Sequence, residues 1–433
     1  MLNHEEVQST LDTLQGGITE GHTITGSTKT LIEYWDTTIG RTVSGPEVLG
    51  SDSVLLATNV STIRLRGMGE LPVLLLTGDS TETSRALKAL SLRMTGDGAI
   101  GIIVCLNAAA LTAVRISNAT PTGRCVILSA SAILDLLTDE RPRDVLLQRL
   151  LEQISRDRLN PFGTCAPTEG ITFVGRTGLL RTLVDSSQDY ALCGPGGIGK
   201  TSLLRQMQWI LRRRRDPRHE RLVEVDLISR PSSLDAVCQE IAKRISPTKD
   251  AHNTCLADFE TCLRRLKSGD LRFHGGPIDL VIDEMDRTLE LDRAKRDADG
   301  KPYQLMRALC YARHVGLIRL TLSGREGTRE MLDDPENPFV VDSEGPSRRG
   351  RIKLMPLQPL TSGESELLLL GPLRDLGFPV EEQRHALLQR LRECNGIPFN
   401  IHELGLELVE ALPEPQGTPE FELAGRQELD IYS

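Results

Sequence analysis

The sequence predicts an α/β protein: a parallel-sheet core, a helical C-terminal piece, and a small mixed α/β domain in front. Three observations predict it. A glycine-rich loop at 194–201 sits between a short apolar strand and a helical repeat. Two apolar runs, 278–282 and 317–322, each end abruptly in polar residues, as strands do at one edge of a parallel sheet. Upstream, over 53–138, apolar runs alternate with helical patterns.

Composition sets the bounds. A chain of 433 residues has room for two or three domains and more than one core. Hydrophobic residues make up 39% and charged residues 26%, ordinary for a globular protein, while aromatics are only 3%, so aliphatic side chains fill the cores. A net charge of −9 argues against a general nucleic-acid or anionic-membrane binder, though a local basic patch remains open. Nine cysteines lie scattered with no CxxC pair, against a structural zinc site and in keeping with reduced thiols in a cytoplasmic setting. The eight histidines show no ligand spacing. The opening MLNHEEVQST has no basic and apolar signal-peptide regions, and no run of about 18 apolar residues predicts a membrane span.

Along the chain, residues 1–50 are polar and poorly defined, with weak helical patterning at Glu5–Leu14. A small α/β domain is expected over 51–158. Its strands are expected at Val54–Ala57, Val73–Thr77, Ile100–Cys105 and Cys125–Leu128, and its helices at Thr81–Met94 and Arg143–Arg158. Turn residues at Asn160–Gly170 mark a linker, 159–171. The core follows over 172–356, with breaks at His274–Pro277 and between Asp333 and Gly350. Residues 357–412 are helical in pattern, and Thr361 and Glu364 have capping-box spacing. The Pro/Glu-rich tail, 413–433, is expected to fray.

The loop Gly194, Pro195, Gly196, Gly197, Ile198, Gly199, Lys200, Thr201 satisfies GxxxxGK followed by Ser or Thr. Glycines let amide groups turn inward around phosphates, and the helix opening at Ser202 adds its N-terminal partial charge. Lys200 is expected to reach the β- and γ-phosphates of ATP, and the Thr201 hydroxyl to bind Mg²⁺. The run IDLVIDEMD, 278–286, reads as a buried strand delivering Asp283 to the metal and Glu284 as general base. Asp286 either orients a partner in the same turn or faces solvent. LIRLTLSGR, 317–325, ends in Arg325, a planar cation suited to sensing the γ-phosphate.

Together these segments resemble the AAA+/STAND class of P-loop ATPases, over roughly 171–412. FVGRTGLLRTL, Phe173–Leu183, looks like the FVGR segment that opens such modules, which implies adenine contacts from Val174, Gly175 and Arg176. Leu222–Leu227 looks like the extra strand that separates the P-loop strand from the acidic strand. IDLVIDE matches Walker B, and TLSGR matches sensor 1 with its Arg. Asn395-Gly396-Ile397-Pro398 looks like the GxP turn of the lid, with Pro398 implied at the nucleotide. Thr177 stands where the family carries an acid, no sensor 2 Arg or trans Arg finger is identifiable, and no full winged helix is expected after the GxP turn.

Residues 98–137 look like the closing half of an Mrr-type restriction-endonuclease fold, yet PVLLLTGD, 72–79, offers no ExK, and Asp79 alone cannot supply its metal chemistry. A generic α/β interaction domain is the other reading. Basic runs at Arg212–Arg215 with Arg218, and at Arg348, Arg349, Arg351 and Lys353, lack interleaved aromatics. The resemblance implies a slowly hydrolysing ATP switch controlling self-association or a protein partner, with no membrane role. A DNA-acting ATPase and a non-catalytic nucleotide scaffold are the alternatives.

Overall fold

The computed structural model describes residues 2–412 apart from 15–17, 21–22, 51, 61–62, 67–69, 78–79, 95–98, 118–122, 164–171, 228–232, 246–254, 270–272, 274, 298 and 343–350. Asp79, His274, Arg348, Arg349, most of the 159–171 linker and the 413–433 tail therefore lie outside the described residues. The chain divides into two compact units. One comprises Met1–Gly163, Glu366–Arg390 and the stretch from His402; the other comprises Thr164–Ser365 and Leu391–Ile401.

The first unit opens with helix His4–Leu14, the short pair β1 (Thr19–Glu20) and β2 (Thr23–Ile24), and helix Gly26–Thr38. Five strands follow: β3 (Arg41–Gly50), β4 (Ser53–Asn59), β5 (Leu71–Leu76), β6 (Gly101–Cys105) and β7 (Cys125–Ser129). They pair in sequence order, antiparallel through β5 and parallel from β5 to β7. The apolar runs expected as strands correspond to β4–β7, and Thr81–Met94 to helix Ser80–Arg93. The helix expected at Arg143–Arg158 is broken into Pro142–Gln153 and Arg156–Leu159. Every residue of β5 and of β6 is buried, which explains their unbroken apolar runs.

Among its described residues, the region before residue 51, in which little was legible, holds two helices, the short β1–β2 pair and an edge strand. Helix Gly26–Thr38 is capped by the Thr25 side chain, which accepts from Thr28 N, and Trp35 Nε1 donates to Thr58 Oγ1 at 3.1 Å. Strand β3 escapes pattern recognition because it contains Gly45 and Pro46 and shifts register against β4.

The second unit holds a six-stranded sheet whose pairs are all parallel. Its strands are β8 (Tyr190–Cys193), β9 (Leu222–Asp226), β10 (Ile278–Asp283), β11 (Ile318–Gly324), β12 (Val340–Asp342) and β13 (Arg351–Pro356), in spatial order β12-β13-β8-β11-β10-β9. Here the sequence expectation fails. Leu222–Leu227 does not separate the P-loop strand from the acidic strand; β9 lies beyond β10 at the sheet edge, and β11 takes the place between β8 and β10. The chain leaves β8 through helix Lys200–Arg213, crosses to the far edge, and returns inward strand by strand. Order along the chain does not reveal such a jump, because it is settled by long-range packing.

Helix Lys200–Arg213 buries Lys200, Leu203, Leu204, Met207 and Leu211, an i, i+3, i+4 stripe. Its four apolar members, Leu203, Leu204, Met207 and Leu211, pack with Leu180, Leu183 and Val184 of helix Thr177–Asp185 onto Tyr190 and Leu192 of β8. A larger cluster, including Ile241, Phe259, Ile282, Leu309 and Leu322, forms the other core. No helix among the described residues is long and apolar enough to cross a membrane.

Candidate functional site

The site forms where β8, β10 and β11 end. Strand β8 is buried throughout and runs into the loop 194–199, in which Gly197 and Gly199 take positive φ of 72° and 87°. Gly197 is also needed for space, while Gly199 faces the tip of the Arg176 side chain. A Cβ on Gly197 would lie 2.7 Å from Phe399 Cβ, and one on Gly199 would lie 2.9 Å from Arg176 Nη1 and 3.6 Å from the Pro398 ring.

Lys200 opens the helix and is 5% exposed. Its Nζ donates to Gly194 O at 2.9 Å and Pro195 O at 3.1 Å, so the ammonium is held inside the loop. Burial pushes it below the ordinary lysine range, against the opposing pull of Glu284, Asp283 and Asp286. Thr201 Oγ1 donates to Asp283 Oδ2 at 2.6 Å, although 82 residues separate them. Asp283, at the end of β10, is 1% exposed. A hydroxyl and a carboxylate side by side are hard oxygen donors, the chemistry that Mg²⁺ requires.

Glu284 follows with φ of 58°, a left-handed conformation unusual for a residue with a Cβ. Its amide donates to Asp283 Oδ1 at 3.0 Å, and the next amide, of Met285, donates to Ser323 O at 2.9 Å. Burial raises the Glu284 carboxyl above the usual range, and Asp283 adds to this; Lys200 and Arg325 oppose it. Asp286, open at the sequence level, accepts from Arg325 N at 2.6 Å and Thr328 Oγ1 at 2.7 Å, and so ties the end of β11 to the acidic turn. The side chain of Arg325 is exposed, and its charge acts on both Lys200 and Glu284. Ser323 Oγ is fully buried with no hydrogen-bond partner among the described residues.

Arg176 also takes a left-handed turn, φ 54°, after Gly175 at φ 81° and the half-buried Val174. Its Nη1 donates to Gly199 O at 3.3 Å and Nη2 to Gln358 O at 3.1 Å, while Nε is buried without a partner among the described residues. Burial lowers the Arg176 pKa, and Glu364 counteracts this. The turn Asn395–Gly396 has positive φ at both residues and leads into helix Pro398–Glu410. Phe399 N donates to Gly197 O at 3.2 Å, so Pro398 and Phe399 touch the phosphate loop.

The folded chain thus brings together the phosphate loop, Asp283, Glu284, Arg176 and Pro398. Sequence reasoning missed Glu364, Gln358 and Phe399 as neighbours of the site. The capping-box spacing flagged Glu364, but only as a helix start. Among the basic residues, Arg214 pairs with Asp185 at 2.7 Å, Arg212 Nε donates to His219 Nε2 at 3.3 Å, and Arg213 lies 4.6 Å over the Trp209 ring. That aromatic, four residues upstream of Arg213, also went unread.

Fold and site are those of a nucleotide-binding P-loop domain. Residues 172–332 match the family described as AAA domain. No curated protein matches the chain. Among solved structures, the chain is similar to a Walker-type ATPase of Pyrococcus abyssi at 19% identity and TM-score 0.42, over 58% of this chain and 71% of that one. It is also similar to NtrX from Brucella abortus in complex with ATP, at 14% identity and TM-score 0.27, over 81% of this chain and 76% of that one. A second structure of NtrX from the same organism has 13% identity and TM-score 0.29, with 81% and 73% covered.

Proposed function

We propose that this protein is an ATP-binding, slowly hydrolysing switch of the STAND type, whose nucleotide state controls self-association or binding of a protein partner. The observation that carries the reading is the 2.6 Å contact between Thr201 and Asp283, beside a lysine held within its glycine loop. In this reading the loop amides and Lys200 hold the phosphates, and Arg176 and Arg325 add positive charge at the rim. Thr201 and Asp283 would hold Mg²⁺, which supplies charge neutralisation for phosphoryl transfer. Glu284, with its raised pKa, takes a proton from the attacking water. The switch reading draws support from Pro398 and Phe399, which rest on the same loop that would bind phosphate.

A DNA-acting role is less favoured, because Arg212, Arg213 and Arg214 already have partners within the unit. For the N-terminal unit we favour an interaction domain, with a nuclease-like fold lacking nuclease chemistry as its structural origin. Strand β5 is Leu71–Leu76, apolar throughout and without an acid.

Nucleotide titration and phosphate release, each with and without DNA, test the proposal. Lys200→Ala is expected to abolish binding. Glu284→Gln is expected to bind normally and release phosphate at least about 100-fold more slowly, the scale of a lost general base. Full ATP affinity in Lys200→Ala would sink the site assignment, and DNA-stimulated turnover would shift the reading to a DNA-acting ATPase.

A further inference from the structure

We propose that Glu364 is a positioning residue of the nucleotide site, acting through the Gly175–Arg176 turn on the phosphate loop. The proposal rests on the nucleotide-site reading above and adds a residue that none of the nucleotide-binding motifs supplies.

Arg176 is held in a left-handed conformation that disfavours any residue with a Cβ. Something must stabilise it there. Its amide donates to Glu364 Oε1 at 3.0 Å, across 188 residues of sequence. The carboxylate approaches so closely that a Cβ on Gly175 would lie 2.6 Å from Oε1, which is a second reason for glycine at that position besides its φ of 81°. The other oxygen, Oε2, accepts from Thr361 N and Thr361 Oγ1, both at 2.9 Å, and Thr361 Oγ1 accepts from Glu364 N at 3.3 Å. The carboxylate is therefore anchored at one oxygen by the start of helix Ser362–Asp375 and used at the other by the turn.

A helix cap needs only the Thr361 half of this arrangement. The Arg176 half has a different consequence: it aims the guanidinium, whose Nη1 meets Gly199 O and whose Nη2 meets Gln358 O. Gly199 immediately precedes Lys200, so the contact runs from Glu364, through the Arg176 backbone and side chain, to the hinge of the phosphate loop. The charge state agrees. Burial pushes the Glu364 carboxyl up, but the hydrogen bonds from the Thr361 and Arg176 amides outweigh it and hold it below the usual glutamate range.

The test is fluorescent ADP and ATP titration of the full chain, alongside thermal melting. Glu364→Ala is expected to bind both nucleotides about tenfold more weakly, equivalent to about 1.4 kcal/mol. Glu364→Gln keeps an oxygen for the Arg176 amide and is expected to recover to within about threefold of the native chain. Thr361→Ala removes the cap hydroxyl alone; it is expected to melt lower but bind within about twofold of native. Arg176→Ala/Glu364→Ala is expected to bind no more weakly than Arg176→Ala, because Glu364 acts through Arg176. Native affinity in Glu364→Ala, equal losses in Thr361→Ala and Glu364→Ala, or multiplying losses in the double variant would each overturn the proposal. Should Glu364→Ala not fold, Gly175→Ala disrupts the same contact, and unchanged affinity there overturns it as well. If the native chain binds no nucleotide, or Lys200→Ala binds as native does, the site reading itself has failed.

Discussion

Lys200 and His402 are both buried bases, 5% and 7% exposed, and their surroundings set them apart. Lys200 donates to two loop carbonyls and faces three carboxylates. His402 instead lies edge-on to Phe162, ring centroids 5.8 Å apart, with Nδ1 unpartnered among the described residues. Burial pushes the His402 pKa down to about 4, a bond involving the Gly163 backbone only partly opposing it. A base with a depressed pKa binds fewer protons folded than unfolded, so its contribution is complete above the unfolded value near 6.5 and is lost as pH falls toward 4. Melting across pH 7 to 4 should show a loss of about 3 kcal/mol from this residue, and His402→Leu should flatten that part of the profile. An unchanged slope in His402→Leu would refute it. At this scale Lys200, Thr201 and Asp283 were readable because a contiguous motif carries each one's chemistry. Glu364 was half-readable, since its spacing to Thr361 is local while its bond to Arg176 is not.

Among elements, β11 and the Asn395–Gly396 turn do the most to shape the site. Strand β11 enters between β8 and β10, and its end is tied to the acidic turn by Met285 N to Ser323 O and Arg325 N to Asp286 Oδ1. The apolar run at 317–322 announced a strand, but nothing local said that it, and not β9, would sit between the other two. Gly396 has φ of 69°, its carbonyl accepts from Leu360 N at 2.8 Å, and a Cβ there would lie 2.4 Å from Leu360 O. Gly396→Ala should therefore cost about 1–3 kcal/mol and, by displacing Pro398 and Phe399, weaken ATP binding. Calorimetry with nucleotide titration checks this, and an unperturbed variant would show that the turn has no bearing on the loop.

For the whole molecule, the chain resolves into two compact units, each assembled from segments distant in sequence. Residues 366–390 and those from 402 group with the N-terminal part, while 391–401, bearing Gly396 and Pro398, group with the unit that holds the phosphate loop. The composition predicted more than one core but not this interleaving. If nucleotide state controls assembly, light scattering of the full chain should give a larger mass with a non-hydrolysable ATP analogue than with ADP, and Lys200→Ala should give one mass in both. Equal masses for the native chain would remove the switch while leaving the nucleotide site intact.

By itself the sequence determined the α/β class, the strands β4 to β8, β10 and β11, the phosphate loop, and the acids that face it. Each of these rests on a short-range rule: periodicity over a few residues, or glycines at fixed offsets from a lysine. Only the tertiary structure decided which strand lies beside the P-loop strand, that Asp283 bonds Thr201, and that Glu364 braces Arg176. Those contacts join residues 82 and 188 positions apart. They are selected by how whole faces pack, a choice that no local pattern encodes.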